Sequence, residues 1–399
     1  MTSKKEIVII GAGVIGCSIA FHLAKQGVPS LIIDMDSIGA RASGKSWAVI
    51  VYPPGMIHME GADPNELFSM PEGSVRPWVE LFWLTYNRLP DIALELKEKG
   101  GIDIGYGEVQ RIRVVLSEDE EENGKATREW MRNQGFYEGG YWIDANELRA
   151  IYPDINPRAR GGIVGTSLQL EPYQYTLGLG QAAEKMGAEV LLREAVGFRH
   201  KGTKVTSVVF STGSEVEADM FVLAMGPWTS QSTSWLGKEI PIMVNREQCL
   251  RLEVPERLPY GLSSSESGML LPKVDGTVIL GHAGVADIQT SFDVSLTTEE
   301  VKTDLLSEAI NLLPRLGEAK LVEHRGDFEG WSPPPNHIQP VLGRLPEWDN
   351  VYVAARLGTL GQTMSLGVGQ VMADLIIAGG RPPHRFKTMM DYLSPARLQ

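Results

Sequence analysis

Three glycines near the N-terminus have the spacing of a phosphate-binding turn. Gly11, Gly13 and Gly16 lie between a short apolar run, Glu6–Ile10, and a segment with helical spacing, Val14–Lys25. The first glycine permits a tight turn, the second lets the backbone approach a pyrophosphate, and the third lets the helix pack close to the strand. Phosphates then lie at the positive end of the helix dipole. The pattern predicts a nucleotide site.

An acidic residue stands where the next strand of such a unit ends. Asp34 directly follows the apolar run Ser30–Ile33. A carboxylate there accepts hydrogen bonds from ribose hydroxyls and repels a 2′-phosphate, which favours FAD or NAD over NADP. A near-match at residues 178–183 lies within a helical pattern with no apolar strand before it, so we expect no nucleotide there.

Length, charge and cysteine content narrow the class of protein. A chain of 399 residues is long enough for two lobes, and a net charge of −13 argues against nucleic-acid or anionic-membrane partners. Cys17 and Cys249 form no CxxC pair, and no signal peptide is visible, so we expect a cytoplasmic protein. No apolar run approaches the roughly 20 residues of a membrane span. The seven histidines form no HxxxH pattern, so we expect no metal site.

The periodicity predicts parallel α/β segments at both ends of the chain and a β-rich middle. The predicted helices are Val14–Lys25, Val79–Lys99, Ser117–Arg132, Tyr173–Gly187, Thr298–Leu313 and Leu366–Ile377. The predicted strands include Glu189–Leu192, Lys204–Phe210, Glu215–Ala218, Met220–Ala224 and Asn350–Ala354, with a hairpin signal at Asp275-Gly276.

Six blocks of the chain, in this order and spacing, resemble the FAD-dependent oxidoreductases that include D-amino acid oxidase, glycine oxidase and monomeric sarcosine oxidase. The blocks are Ile7–Gly39, 41–46, 170–175, Met220–Trp228, 330–343 and Val351–Ile376. The resemblance implies FAD, and the absence of a tethering Cys or His at the family positions implies non-covalent binding. Amides near the start of the last predicted helix would stabilise negative charge on the reduced flavin.

The resemblance also implies which residues contact FAD, Val196 through its backbone alone. They are Gly11, Gly13, Val14, Ile15, Gly16, Asp34, Met35, Arg41, Ala42, Ser43, Ser46, Trp47, Ala48, Val196, Ala224, Gly226, Trp228, Gly358, Leu360, Gly361, Gln362 and Thr363.

The fold class expected from the pattern and the resemblance is α/β. A discontinuous Rossmann-like FAD-binding domain takes residues 1–80, 145–235 and 335–399. An inserted α+β substrate domain of mainly antiparallel sheet takes residues 81–144 and 236–334.

The substrate side departs from the family. Amino-acid members grip a carboxylate with an arginine where this chain has Ser332, and Met269 stands where they have a tyrosine. The lysine that sarcosine oxidases use to activate oxygen is missing from Thr277–Gly281. Arg356 is our candidate for binding a carboxylate from the other side, with Trp331 and Met269 as apolar walls. The Pro- and Met-rich loop 53–77 is either a lid over the pocket or a peripheral insertion. Arg246 and His337 are minor candidates for the substrate site.

The resemblance implies oxidation of a C–N bond in an amine or amino acid by hydride transfer to flavin N5, with oxygen or another carrier as acceptor. Alternatives are a flavin dehydrogenase of a 2-hydroxyacid or similar alcohol, an FAD-carrying subunit of a larger complex, and an NAD dehydrogenase. Each of these functions is compatible with a homo-oligomer and with a partner subunit.

Overall fold

A computed structural model describes residues 5–51, 79–133, 140–282, 287–334 and 339–398. The loop 53–77 and His337 lie outside these ranges, so their roles stay predictions. No helix in the described ranges is long and apolar enough to cross a membrane.

The strands, in chain order, are β1 Lys5–Ile10, β2 Leu31–Asp34, β3 Val49–Val51, β4 Gly107–Val115, β5 Tyr141–Asp144, β6 Gly161–Gln169, β7 Glu189–Leu192, β8 Ala195–Lys201, β9 Lys204–Phe210, β10 Glu215–Leu223, β11 Met243–Glu253, β12 Gly261–Ser264, β13 Ser267–Pro272, β14 Val278–Gly281, β15 Ile288–Gln289, β16 Lys320–Trp331, β17 Val341–Arg344 and β18 Val351–Ala355. The helices are α1 Val14–Lys25, α2 Ala42–Lys45, α3 Val79–Glu98, α4 Glu118–Asn133, α5 Ala145–Ile151, α6 Pro172–Lys185, α7 Thr233–Leu236, α8 Glu299–Leu312, α9 Gly361–Ile377 and α10 Lys387–Leu393.

The first sheet has β1 at its centre, in the order β17-β18-β10-β1-β2-β7. Strands β18, β10, β1, β2 and β7 are parallel, and β17 is antiparallel to β18. Ile7, Val8 and Ile9 are fully buried, as expected for a central parallel strand covered on both faces. The segments predicted as two strands around Asp219 form the single strand β10.

Helices α1, α3, α6 and α9 form one apolar core over this sheet. Helix α9 begins at Gly361, earlier than the predicted Leu366, so Gln362 and Thr363 belong to its first turn. Its internal glycines have a packing reason. A Cβ at Gly367 would lie 2.3 Å from the Leu81 carbonyl oxygen, and one at Gly369 would lie 2.1 Å from Ser18 Oγ.

The second sheet has ten strands and is mainly antiparallel, with β12 and β4 as its parallel pair. Helix α8 belongs to the core on one face of this sheet. On the other face a smaller cluster joins Trp47 to Val109, Met269 and residues of β11 and β14. The hairpin predicted at Asp275-Gly276 connects β13 to β14, with Gly276 at φ +88°.

Three elements join a different layer from the one that the predicted domain boundaries give them. Strands β3 and β6 pair in the second sheet, although residues 1–80 and 145–235 were assigned to the FAD-binding domain. Leu81 and Phe82 of α3 belong to the core of the first sheet, although the substrate domain was predicted to start at residue 81. Short apolar runs fit either sheet, so sequence periodicity does not distinguish them.

Candidate active site

An open cleft runs along the edge of the first sheet where its parallel strands end, the position at which such sheets bind ligands. Sixteen of the predicted cofactor-binding residues line it together. They are Gly11, Gly13, Val14, Ile15, Asp34, Met35, Arg41, Ala42, Ser43, Ser46, Ala224, Gly226, Trp228, Gly358, Gly361 and Gln362.

The glycine turn has the close approaches that its spacing predicts. Gly11 has φ +113°, and a Cβ on it would lie 2.2 Å from the Ala224 carbonyl oxygen. A Cβ on Gly16 would lie 1.9 Å from the Gly11 carbonyl oxygen, so Gly16 packs the helix onto the turn and does not line the cleft. Gly13 is the N-cap of α1 and has no side chain to cover the helix start. The first turn of α1 therefore faces the cleft.

Asp34 lies beside this turn and is held by backbone donors. Its Oδ2 accepts from the Ala12 amide at 2.6 Å and its Oδ1 from the Asp36 amide at 2.8 Å. Burial raises the pKa of Asp34, against the effect of these two donors. A carboxylate has about four acceptor sites, so Asp34 keeps capacity for the hydroxyls of a ligand.

Segment 41–46 is tied to the starts of two helices. Ser43 Oγ accepts from the Val14 amide at 2.9 Å, and Gln362 Nε2 donates to the Ser43 carbonyl oxygen at 2.6 Å. Ser46 Oγ and Gln362 Oε1 are buried without a hydrogen-bond partner within the described ranges. Both residues line the cleft, so these atoms are available to a polar ligand.

Aromatic and cationic side chains form another part of the wall. The Arg41 guanidinium lies 5.5 Å from the centre of the Trp228 ring, and Arg41 Nε donates to Asp36 at 2.7 Å. Trp228 stacks on Phe292 with ring centres 4.8 Å apart.

Arg356 brings a buried positive charge to the cleft. It is 5 % exposed, has φ +62°, and donates from Nε to the Pro241 carbonyl oxygen at 2.5 Å. Burial, aided by Arg397, lowers the pKa of Arg356 to about 10, so it stays cationic at neutral pH. A left-handed backbone is uncommon for arginine, and outliers of this kind concentrate at functional sites.

The comparison with known families identifies the chain. A family model described as DAO, FAD dependent oxidoreductase, matches residues 6–375.

The chain belongs to the DAO family of FAD-dependent oxidoreductases.

Relatives agree with this membership, and solved structures share the fold. Glycine oxidase of Geobacillus kaustophilus is 27 % identical over 380 residues, 94 % of each chain. The uncharacterized oxidoreductase YurR of Bacillus subtilis is 24 % identical over 379 residues, 94 % of this chain and 95 % of that protein. The structure of glycine oxidase from Bacillus cereus superposes with a TM-score of 0.81 at 24 % identity over 98 % of both chains. L-proline dehydrogenase from P. horikoshii gives 0.78 at 21 %, covering 100 % of this chain and 98 % of that one.

The predictions of an FAD-dependent oxidoreductase and of FAD as cofactor are thereby confirmed, and an NAD dehydrogenase is wrong. The cleft of this DAO-family protein fits FAD. It offers a helix start whose N-cap residue, Gly13, has no side chain in the way of a diphosphate, a carboxylate beside it for a sugar, and two buried polar atoms without a described partner along the remaining wall.

Several predicted residues do not line the cleft. Val196 is 44 % exposed, and its neighbour Ala195 lines the cleft instead. Thr363 donates to the Val49 carbonyl oxygen, and Leu360 is buried in the core. Trp47 lies outside the cleft, in the cluster with Met269, and Ala48 lies in the core of the first sheet. Trp331 is buried, with Nε1 donating to Glu329 at 3.0 Å.

Sequence reasoning missed two stretches of the wall, 193–195 and 328–330. The first follows β7, which pairs with β2, and the Arg193 amide donates to the Asp34 carbonyl oxygen at 2.7 Å. The order of the parallel strands was the signal that could have found it. The second belongs to β16, which no sequence pattern predicted.

The minor candidate Arg246 lies outside the cleft. Its Nε donates to Asp287 at 2.7 Å and its Nη1 to the Ser295 carbonyl oxygen at 2.6 Å. This arginine is already paired.

Proposed function

We propose that the protein oxidises a C–N bond of an amine or amino acid with non-covalently bound FAD. The observation that carries the proposal is the cleft that connects the starts of α1 and α9 and holds the unpartnered Ser46 Oγ and Gln362 Oε1. Family membership and the glycine oxidases among the relatives support it. Bound FAD supplies a hydride acceptor at flavin N5, and the hydride leaves the carbon next to nitrogen.

The residues of the chain bind and orient the two molecules. The amides of Gly13 and Ile15 hold the diphosphate, and Asp34 accepts from the ribose next to it. Residues 193–195 border the same end of the cleft, which supports a contact with the adenine. Segment 41–46 and the first turn of α9 hold the rest of the cofactor, with Gln362 and Ser46 as polar contacts.

On the substrate side, Arg356 adds a positive charge to the cleft wall. Trp331, next to Glu329, and Met269, in the cluster with Trp47, are buried behind the wall of the cleft. The residues that line the cleft orient a substrate and exclude water, which is the protein's share of a flavin reaction.

Two free, buried cysteines agree with a cytoplasmic enzyme. We propose a small-molecule substrate and do not propose nucleic acid as a partner.

The experiment is anaerobic mixing of the purified yellow protein with separate amino acids, amines and 2-hydroxyacids. Loss of the visible flavin absorbance with amino acids or amines supports the proposal. Loss with hydroxyacids alone favours C–O oxidation, and turnover that appears only with an added protein favours an FAD-carrying subunit. Oxygen consumption on readmission of air distinguishes an oxidase from a dehydrogenase.

A further inference from the structure

Arg111 of β4 is a half-buried cation without an acidic partner. Its Nε donates to Ser167 Oγ at 2.9 Å and its Nη1 to Met269 Sδ at 3.3 Å. Burial lowers the pKa of Arg111 to about 10, which leaves it charged at neutral pH. Across the described part of the chain no carboxylate pairs with it.

Other half-buried arginines near the second sheet are neutralised. Arg246 pairs with Asp287 at 2.7 Å, Arg251 with Glu171 at 3.1 Å, and Arg315 with Asp154. A charge removed from water without a counterion costs folding free energy, and an anionic ligand lowers that cost. Arg111 differs from these three because no described carboxylate pairs with it.

The sheet leaves room beside Arg111. Its cross-strand partners are Gly261 on β12 and Gly165 on β6, and partners in register project on the same face. A Cβ on Gly261 would lie 3.0 Å from Arg111 Cγ, so this glycine makes space for the arginine stem. A Cβ on Gly165 would meet no described atom within 4 Å, so open space adjoins the guanidinium side of the strand.

This face of the sheet is directed toward the cofactor segment. Val109, two positions before Arg111 on the same face, belongs to the cluster of Trp47 and Met269. A Cβ on Gly281, the partner of Met269, would lie 2.7 Å from the Trp47 ring. Ser46, next to Trp47, lines the cleft. A ligand at Arg111 therefore lies next to the segment that leads into the cofactor site.

We propose that Arg111 binds the carboxylate of the substrate, which makes the substrate an amino acid or another carboxylate in preference to a simple amine. The inference rests on the proposed function. Of its five N–H groups, one on Nε and one on Nη1 are engaged, so a donor on each terminal nitrogen remains for a carboxylate in end-on fork geometry. Arg111 takes over the carboxylate that the sequence had assigned to Arg356.

The test uses benzoate and benzamide, which have nearly the same shape and differ in charge. Their dissociation constants are measured by calorimetry on the oxidised holoenzyme, with flavin content as the folding control. We expect benzoate to bind at least tenfold more tightly than benzamide, and Arg111→Met to remove that preference without changing the affinity for benzamide. Arg113→Met is the matched control, since Arg113 is exposed on the same strand and should leave both constants unchanged.

Arg111→Lys covers the case in which Arg111→Met does not fold, because it keeps the charge and loses the fork. It should weaken benzoate several-fold. Equal wild-type affinities for the two probes, a benzoate constant within twofold of wild type in both Arg111 variants, or loss of the preference only in Arg356→Gln would each overturn the inference.

Binding needs no turnover, so it is separable from the proposed function. If amino acids reduce the flavin equally in wild type and Arg111→Met, the inference about Arg111 is wrong and the proposed function stands. If benzoate binding depends on Arg111 but no amine or amino acid reduces the flavin, the proposed function is wrong.

Discussion

Glu247 and Glu329 are hydrogen-bonded to each other across strands β11 and β16, where two carboxyl groups meet beside the cleft. Burial raises the pKa of both, and the neighbouring Glu329 raises that of Glu247 further. The bonds that Glu329 accepts from Glu247 and from Trp331 work against this rise. The raised pKa values favour a proton shared between the two carboxyl groups, because two adjacent carboxylates cannot both ionise readily.

Glu247→Gln is expected to stabilise the protein at neutral and alkaline pH. The raised folded pKa of Glu247 gives a contribution that is complete below its usual value of 4.5 and is lost as pH rises through the folded pKa. Glutamine keeps a donor for Glu329 and does not titrate. We expect the variant to be more stable than the wild type above that folded pKa, and the difference to shrink as pH falls toward 4.5. Urea unfolding from pH 4 to 9 measures it, and a constant difference across this range would contradict the shared proton.

Lys273 predicts the opposite dependence on pH. It is 1 % exposed and donates to the carbonyl oxygens of Trp47 at 3.1 Å and Leu170 at 2.6 Å. Burial lowers its pKa from 10.5 to about 8, with Glu171 opposing. A depressed folded pKa adds stability above the unfolded value, and this is lost as pH falls through 8.

Wild-type stability should thus rise by about 3 kcal/mol between pH 8 and 10.5 relative to Lys273→Met. Thermal unfolding across this range checks the difference, with Lys204→Met as the exposed control. A parallel pH course in wild type and Lys273→Met would show that the ammonium is not desolvated.

Gly13→Ala should reduce FAD affinity more than it reduces stability. Its Cβ would lie 3.0 Å from Ser43 Oγ on the cleft wall, where the diphosphate is proposed to bind. We expect at least tenfold weaker FAD binding, about 1.4 kcal/mol, measured by quenching of flavin fluorescence on reconstitution of the apoprotein. Gly197→Ala is the control, since a Cβ there meets no described atom within 4 Å. Equal FAD affinity in both variants would place the diphosphate elsewhere.

Asp34→Asn should also weaken FAD. Hydrogen bonds to a charged group contribute about 1.5–3 kcal/mol, so roughly tenfold to a hundredfold weaker binding is expected. Asp34→Glu keeps the charge and should retain most of the affinity. A dissociation constant for Asp34→Asn equal to that of the wild type would remove the ribose contact from the account.

Local sequence patterns predicted the parts of the site that lie within one turn of chain. The Gly11–Gly16 turn and α1 were predicted because their spacing is short and each glycine has a steric reason. Asp34 was predicted because it ends the adjacent strand. The backbone contact predicted at Val196 stays a prediction; its neighbour Ala195 lines the cleft one position away, and the ends of strands are read from sequence only to within a few positions.

Long-range contacts could not be predicted in this way. Arg111 meets Ser167 and Met269 over sequence separations of 56 and 158 residues, and β4 has no clear periodicity. Glu329 meets Glu247 because β16 pairs with β11, and neither charge pattern nor spacing indicates that pairing. The fold of the second sheet brings these charges together.

The visible spectrum of the purified protein under anaerobic titration with single amino acids is the most direct measurement of the account. We predict a yellow protein whose flavin absorbance falls on addition of at least one amino acid and returns with an acceptor. A protein that contains no flavin and takes up none from free FAD would contradict the central claim that the cleft binds FAD.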